Sequence, residues 1–358
     1  MKYLFIVQGE GRGHLTQAIA LSDILRRNGH EVAEALLGES DGRETPSFFR
    51  DRIGCMVCPF DTLSFRYMKD KKQVDLLGSI LFNTEIRQLG RYRNSIRFIY
   101  ERICRHRPDV VVCFYEMLSG FTRFLYMMKV PFVHIGHQLL LNHPDYRFGR
   151  GGGYEMRLLR LHAMMNNIGA TRSLALSFYP MRDHEEEQIM VVPPLLRKEI
   201  LESNPTEGDY ILIYMLNAGY EEEVMAWHRR NPYVRLYCFW DRKGAPEEWK
   251  VDDYLTFFTI DDTKFVRYMA GCRGYVSTAG FESVCEAFYL NKPTLVIPAH
   301  VEQEVNAADA VSTGYGVASD RFDIDRLIAF MADGPVDNSA FRRWVDSAGE
   351  VFLKQLVI

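Results

Sequence analysis

Two glycine turns, one near each end of the chain, limit what it can fold into. The first, Gly9-Glu10-Gly11-Arg12-Gly13-His14, follows the apolar run over residues 3–7. The second, Ser277-Thr278-Ala279-Gly280, follows Gly274-Tyr275-Val276 and precedes a helical pattern holding Glu282 and Glu286. A strand, a glycine turn and a helix start together present unpaired N–H groups and the positive end of the helix dipole to an anion. The same device in both halves implies two α/β domains facing one cleft, with a phosphate-bearing ligand between them.

The 358 residues exceed the ~250–300 at which a single core stops growing. Strand and helix patterns alternate throughout, the mark of parallel α/β architecture. In the first half the expected strands lie at 3–8, 31–37, 53–59, 109–114, 131–135, 172–178 and 189–192. Helices are expected over 14–28, 66–80, 85–106, 117–128 and from the Gly151-Gly152-Gly153 loop to 168. The second half is read as strands at 210–216, 233–239, 255–258, 274–277 and 294–297. Its helices are placed at 220–229, 262–270, 281–290, 303–313, 323–332 and 338–355. Pro193-Pro194 and Asn204-Pro205 punctuate the junction, so the fold class is two Rossmann-like parallel α/β/α domains, 1–195 and 196–358. The last helix is free to pack back on the first domain.

No apolar stretch approaches the ~18–20 residues of a membrane span, and Met1 runs almost directly into the first strand. The chain is therefore expected in the cytoplasm with reduced thiols, in keeping with its seven cysteines. Cys55 and Cys58 have metal or redox spacing but no companion ligands, and read as half-buried strand residues. Residues 1–190 hold 26 Lys+Arg against 21 Asp+Glu, and residues 191–358 hold 17 against 26. Arginines cluster at 87–107 and at Arg147, Arg150, Arg157 and Arg160. Such a face suits solubility, or peripheral contact with an anionic membrane surface at the inner face. Basic residues interleaved with aromatics are missing, so no nucleic-acid partner is expected.

At three blocks the chain resembles the GT-B nucleotide-sugar glycosyltransferases, in particular the MurG-like peptidoglycan N-acetylglucosaminyltransferase family. Residues 9–18 read GEGRGHLTQA and residues 191–197 read VVPPLLR. The third block, 257–316, holds the IDD turn at 260–262, TAGFESVCE at 278–286 and EQEVNA at 302–307. The resemblance implies a donor site in the second domain for a UDP-sugar, with no further cofactor, no metal, and inversion at the sugar carbon. It gives Glu286 the ribose hydroxyls, the Ile260 backbone the uracil edge, and Glu302 with Gln303 the donor-sugar hydroxyls. His137 and Gln138 match positions near the donor sugar. Arg197 matches an arginine near the donor, with a salt bridge at the domain junction as the other reading.

The physical roles agree with this pattern. Gly280 and Phe281 open the helix whose N–H groups face the diphosphate, and Glu286 lies ~7–8 Å further along at 1.5 Å per residue. Asn217-Ala218-Gly219 resembles a second phosphate loop, but Glu221-Glu222-Glu223 follows it and competes with an anion there. Asp261 serves as a helix cap, and Asn306 with Ala307 open the next helix. On the acceptor side Gly11, Arg12 and Gly13 supply backbone contacts and a charge, and Gln17 shares the cleft. His14 is the leading general base, with loop stabilisation or phosphate contact as alternatives. Glu116, at the carboxyl end of a strand, is the second base candidate, a partner orienting His14, or a helix-start glutamate. A metal reading of His134, His137 and His143, or of Asp323 and Asp325, is disfavoured.

The leading function is transfer of a sugar, such as an N-acetylhexosamine, from UDP to an unknown acceptor hydroxyl. A UDP-sugar 2-epimerase and a noncatalytic nucleotide-sugar-binding regulator are the alternatives. A dinucleotide dehydrogenase with Glu34 on the ribose leaves the GRGH turn and the third block unexplained.

Overall fold

The first apolar run forms β1 (Lys2–Gln8), in which Leu4, Phe5, Ile6 and Val7 have no solvent exposure. Burial on both faces means helices cover the sheet on both sides, as parallel sheets require. The computed structural model describes residues 1–40, 46–64, 66–67, 74–75, 78, 82–147, 153–215, 218–242 and 244–357.

In the first half β1 is followed by α1 (Arg12–Arg27), β2 (Glu31–Glu39), α2 (Ser47–Arg52), β3 (Met56–Asp61), β4 (Arg66–Tyr67) and β5 (Val74–Asp75). Then come α3 (Ile86–His106), β6 (Val110–Phe114), α4 (Met117–Leu125), β7 (Phe132–Gly136), α5 (Tyr154–Asn166), β8 (Arg172–Leu176) and β9 (Ile189–Val192). A one-turn helix, α6 (Lys198–Leu201), leads into the second half.

That half runs β10 (Tyr210–Met215), α7 (Glu221–Arg230), β11 (Arg235–Trp240), β12 (Glu248–Lys250), β13 (Leu255–Thr259), α8 (Asp262–Gly271) and β14 (Gly274–Ser277). It ends with α9 (Phe281–Tyr289), β15 (Thr294–Val296), α10 (Val301–Ser312), β16 (Gly316–Ala318), α11 (Ile324–Ala332), α12 (Ser339–Asp346) and α13 (Ala348–Leu356).

The strands make two seven-stranded sheets, ordered β3-β2-β1-β6-β7-β8-β9 and β12-β13-β11-β10-β14-β15-β16. All pairs are parallel except the edge strand β12, which runs antiparallel to β13. The chain is thus an α/β protein with two Rossmann-like sheets, one per half.

Two expected helices differ from the structure. Within 66–80 the described strands β4 and β5 pair antiparallel, Arg66 opposite Asp75. The expected helix over 338–355 is two, because Ser347 ends α12 and begins α13. Both short edge strands β12 and β16 were also missed, each being only three residues long.

The tail returns to the first half. Phe352 and Leu356 are fully buried in a cluster with Leu21, Leu25 and Val192, and α13 packs on β9 and α1. Trp344 Nε1 donates to Ser177 O at 3.0 Å, and Arg172 Nη1 to Gln355 O at 2.8 Å.

Glu34, on β2, has no exposure and is held by Arg102 through two N–H bonds, one at 2.7 Å, with His106 3.1 Å away. It faces α3 and no ligand cleft, which removes the dehydrogenase reading. Cys58 Sγ also donates to it at 3.1 Å, while Cys55 and Cys58 are both half-buried thiols. Burial alone pushes the Glu34 carboxyl up, but Arg102, Cys58 and His106 bring it below its ordinary value. A carboxyl held low in the fold adds stability above its unfolded pKa, and that stability is lost as pH falls through the folded value. Arg102→Ala is expected to cost roughly 2–4 kcal/mol at pH 7, and less at pH 4, because Glu34 without its arginine takes up a proton more readily. Urea unfolding at the two pH values measures it, and equal losses at both would contradict the assignment.

Candidate functional site

The chain winds outward from β1 to β3 and then returns to the other side of β1 at β6; β10 and β14 repeat this in the second sheet. Open α/β sheets leave a crevice at the carboxyl ends of the strands flanking such a reversal. Both glycine turns lie there. Gly9 follows β1 and donates its N–H to Gly38 O at 2.9 Å, where a Cβ would stand 2.3 Å from that oxygen. Gly11 takes φ 95°, a left-handed conformation, and leads into α1 with no side-chain cap.

His14 sits in the first turn of α1, stacked on Tyr115 with ring centroids 5.6 Å apart. Its Nδ1 is buried without a hydrogen-bond partner. Burial pushes the imidazole below its ordinary 6.5, and the nearby Glu302 and Gln17 offset this only in part. The ring is therefore neutral at neutral pH, as a proton acceptor must be. Tyr115 itself holds φ 55°, and its hydroxyl lies 3.2 Å from His162 Nδ1. Neither Tyr115 nor His162 was singled out in the sequence; the only available signal was their aromatic and imidazole chemistry near a strand end.

Glu116 does not meet His14 through a hydrogen bond. It caps α4 by accepting from Leu118 N at 3.0 Å and also accepts from Thr62 Oγ1 at 2.8 Å. It has no exposure and lies under Gly38, where a Cβ would stand 2.6 Å from its Oε2. Burial outweighs these bonds and raises its pKa to about 7.

On the opposite side, Ala279 takes φ 59° and Gly280 begins α9 with no side-chain cap. Asn306, inside α10 and not at its start, donates Nδ2 to Ala279 O at 3.0 Å and so fixes this turn. Phe281 stacks on His137 at 4.0 Å between centroids. Glu286 has no exposure, and both its oxygens accept from Arg197, at 2.5 Å from Nε and 2.8 Å from Nη2. A carboxylate has about four acceptor sites, so two remain for hydroxyls once they are uncovered.

The two halves meet through polar contacts beside apolar ones, Phe178 on Phe281 with ring centroids 4.7 Å apart and Val305 among Leu139 and Tyr146. Arg12 Nη2 lies 2.9 Å from both oxygens of Asp262, which is also 3.8 Å from Arg197 Nη1. Gln138 Nε2 donates to Glu302 Oε1 at 2.9 Å, and Gln17 Nε2 to Glu282 Oε2 at 3.0 Å. Tyr146 and Tyr179 both donate to Asp309, at 2.7 and 2.8 Å. A cavity of about 10 Å³ remains beside His137, Gln138, Glu302 and Asn306, at the limit for one water. A larger one of about 410 Å³ opens on the linker side, lined by Arg52, Glu199, Asn204, Asp262 and Arg267.

Other expected residues take varied places. Asp261 caps α8 by accepting from Lys264 N at 2.6 Å, and Ile260 before it is half-buried. Gln303 Oε1 accepts from Ala299 N at 2.9 Å, so its carbonyl is spent on its own turn. Gly219 lies exposed in a 3-10 turn, and Asn217 falls outside the described residues. His134, His137 and His143 each turn to a different backbone carbonyl, those of Asn166, Leu176 and Arg182. Asp323 precedes α11 without a side-chain cap bond.

Two facing Rossmann-like sheets with paired glycine turns at one cleft define the GT-B class of glycosyltransferase. The sequence profile of glycosyl transferase family 1 matches residues 1–335, and the chain belongs to that family. It is a glycosyltransferase, which sets aside the epimerase and the noncatalytic regulator.

Similar solved structures include the glycotransferase of kitacinnamycin, with TM-score 0.67, 16% identity and 99% of each chain covered. UGT2 of Phytolacca americana, complexed with UDP-2fluoro-glucose and pterostilbene, gives TM-score 0.65 at 11% identity over 99% of each chain. MurG of Acinetobacter baumannii gives 0.56 at 13% over 99% of each chain. At these identities the likeness is one of fold, and the MurG likeness is one among several. No curated protein matches the chain in sequence.

The raised Glu116 pKa has a testable sign. The folded carboxyl binds its proton more tightly than the unfolded one, so stability falls as pH rises from 4.5 towards 7. Glu116→Gln, which keeps the bonds to Leu118 N and Thr62, is expected to gain up to about 3 kcal/mol over wild type at pH 8. Urea denaturation at pH 5 and pH 8 measures the difference, and an advantage that does not grow with pH would refute it.

Proposed function

We propose that the chain transfers a glycosyl group from a UDP-sugar to an acceptor hydroxyl, with inversion and without a metal ion. The observation carrying this reading is the cleft at which the start of α1, with the neutral His14, meets the uncapped start of α9 through the Gln17–Glu282 bond. Two of the similar structures support the nucleotide: LpCGTa is in complex with UDP, and UGT2 with UDP-2fluoro-glucose. A UDP-N-acetylhexosamine is the donor favoured by the MurG resemblance.

In this reading His14 takes the proton of the acceptor hydroxyl while that oxygen attacks the anomeric carbon. The bond from that carbon to the diphosphate breaks, and its electron pair leaves with UDP. The free N–H groups of α9 stabilise the departing charge, Arg197 keeping Glu286 on the same helix neutralised. The cleft is closed by the Arg12–Asp262 and Gln138–Glu302 contacts, so donor entry requires the halves to part.

We also propose that the acceptor is presented at an anionic membrane surface, the chain lying at its cytoplasmic face. No helix among the described residues is long and apolar enough to cross a membrane. Exposed Phe124 and Leu125 end α4 and Met127 follows it, Leu161 and Met164 lie on α5, which packs on α4, and Lys129 and Arg157 are close to them in sequence. Apolar side chains with basic neighbours suit an anionic bilayer.

Three measurements follow from these roles. His14→Ala is expected to lower transfer by ~10²–10⁴-fold while sparing UDP affinity, and Glu286→Ala to weaken UDP binding by calorimetry; equal loss of affinity in both would sink the division of labour. Because burial lowers the His14 pKa, the acid limb of the wild-type kcat/KM profile should have its midpoint below that of an ordinary histidine. A joint Phe124→Ser, Met127→Ser variant should lose sedimentation with anionic vesicles and keep UDP affinity.

A further inference from the structure

The start of α9 is surrounded by polar atoms that have no partner. Gln17 is 3% exposed, with its Nε2 spent on Glu282 and its Oε1 buried and unbonded. His137 is 4% exposed; its Nδ1 is bonded to Leu176 O, and its Nε2 is buried and unbonded above Phe281. Glu282 Oε1, in the first turn of α9, is buried and unbonded as well. An unmade hydrogen bond on a buried polar atom costs about 1–3 kcal/mol. Three of them around one uncapped helix start mark a place where a ligand supplies the missing partners.

We propose that Gln17 and Glu282 act as a pair that reads the donor's diphosphate, Gln17 fixing the carboxyl so that its free Oε1 bonds a phosphate oxygen. This rests on the UDP-sugar reading above and adds two positioning residues that the sequence resemblance does not assign.

An ionised carboxylate beside a diphosphate would repel it, so the free oxygen must carry the proton and donate. The surroundings favour that state. Burial is the largest effect, and Glu286 one turn along the same helix adds repulsion; Gln17 and Arg197 oppose them without prevailing. The other titratable or charged groups on the packed elements are His14 and Arg12 on α1, Cys285 on α9, Asp262 on α8, and Glu302 and Asp309 on α10, which accept from Gln138 and from Tyr146 and Tyr179. Arg12 and Asp262 are spent on one another, and burial keeps both His14 and Cys285 uncharged. The geometry also explains the cross-cleft bond: Gln17 is supplied by the opposite half, so the carboxyl is correctly turned only when the cleft is closed.

The test is calorimetry of UDP and of uridine on the full chain, at pH 6 and pH 9, with folding checked by thermal melting. Wild type should bind UDP more weakly once the pH is high enough to ionise Glu282. Glu282→Ala should bind UDP about 10–100-fold more weakly at pH 6 with uridine affinity unchanged, and Gln17→Leu should follow it. Glu282→Gln, whose amide donates without titrating, should keep UDP affinity and lose the pH dependence that Glu282 contributes. If wild type binds UDP but Glu282→Ala binds it equally well, or loses uridine as much as UDP, the pairing is wrong and the donor reading stands. If wild type binds no UDP at all, the donor reading fails and takes this inference with it.

Discussion

The first turn of α9 must do two incompatible things, and the surrounding structure is arranged to reconcile them. Its free N–H groups attract an anion, yet its sequence places Glu282 and Glu286 within six residues of Gly280. Two ionised carboxylates there would cancel the helix dipole, which is worth only about 0.3–2 kcal/mol per charge. Arg197 neutralises Glu286 through two N–H bonds. Burial holds the proton on Glu282. With both carboxyls discharged, the helix start regains its preference for phosphate, and the junction arginine that reads as structural is what makes the donor helix usable.

Backbone strain recurs at matching places in the two halves. Tyr115 follows β6 and Ala279 follows β14, each beside its sheet's reversal point, and each takes a positive φ. Non-glycine residues in that region cost of order 1–3 kcal/mol and persist only where neighbours over-determine them. Here the neighbours are visible: His14 and His162 flank the Tyr115 ring, and Asn306 holds the Ala279 carbonyl. The strain turns Tyr115 under the proposed base and aims α9 into the cleft. Positive φ also occurs at Arg107, Met127, Gln188 and Asn291, but Tyr115 and Ala279 are the two that stand beside the glycine turns.

Much of the architecture was legible because strands buried on both faces leave long apolar runs. Nearly every expected strand and helix matches an observed element with ends within three residues, and the glycine turns located the cleft. The failures have physical causes. A serine within an otherwise periodic pattern does not announce a helix break, so 338–355 read as one helix. The cross-cleft partners were out of reach because Arg12 and Asp262 lie 250 residues apart, and Gln17 and Glu282 265 apart. Glu286 was recognisable by its place after the turn, but its capture by Arg197 depends on how the linker crosses α9. Asn306 read as a helix opener since one sequence cannot show that its amide reaches the Ala279 carbonyl.

The chemistry of the contacts on the two sides of the molecule decides where it opens. On the cleft side the halves meet through amide–carboxylate, arginine–carboxylate and tyrosine–carboxylate bonds, beside the packing of Phe281 on His137 and Phe178 and of Val305 among Leu139 and Tyr146. Water replaces such bonds when they part, so each adds only about 0.5–1.5 kcal/mol net, or up to 3 where charged. On the other side Phe352 and Leu356 of α13 are buried against β9 and α1, and water offers them nothing in exchange. Burial of a large apolar side chain contributes about 1.5–3 kcal/mol each, and these contacts act together. The polar bonds of the cleft thus exchange with water more readily than the apolar contacts of the tail do. A donor that supplies partners to Gln17, His137 and Glu282 replaces the bonds lost on opening, so the same atoms that close the empty cleft reward its closure over a ligand.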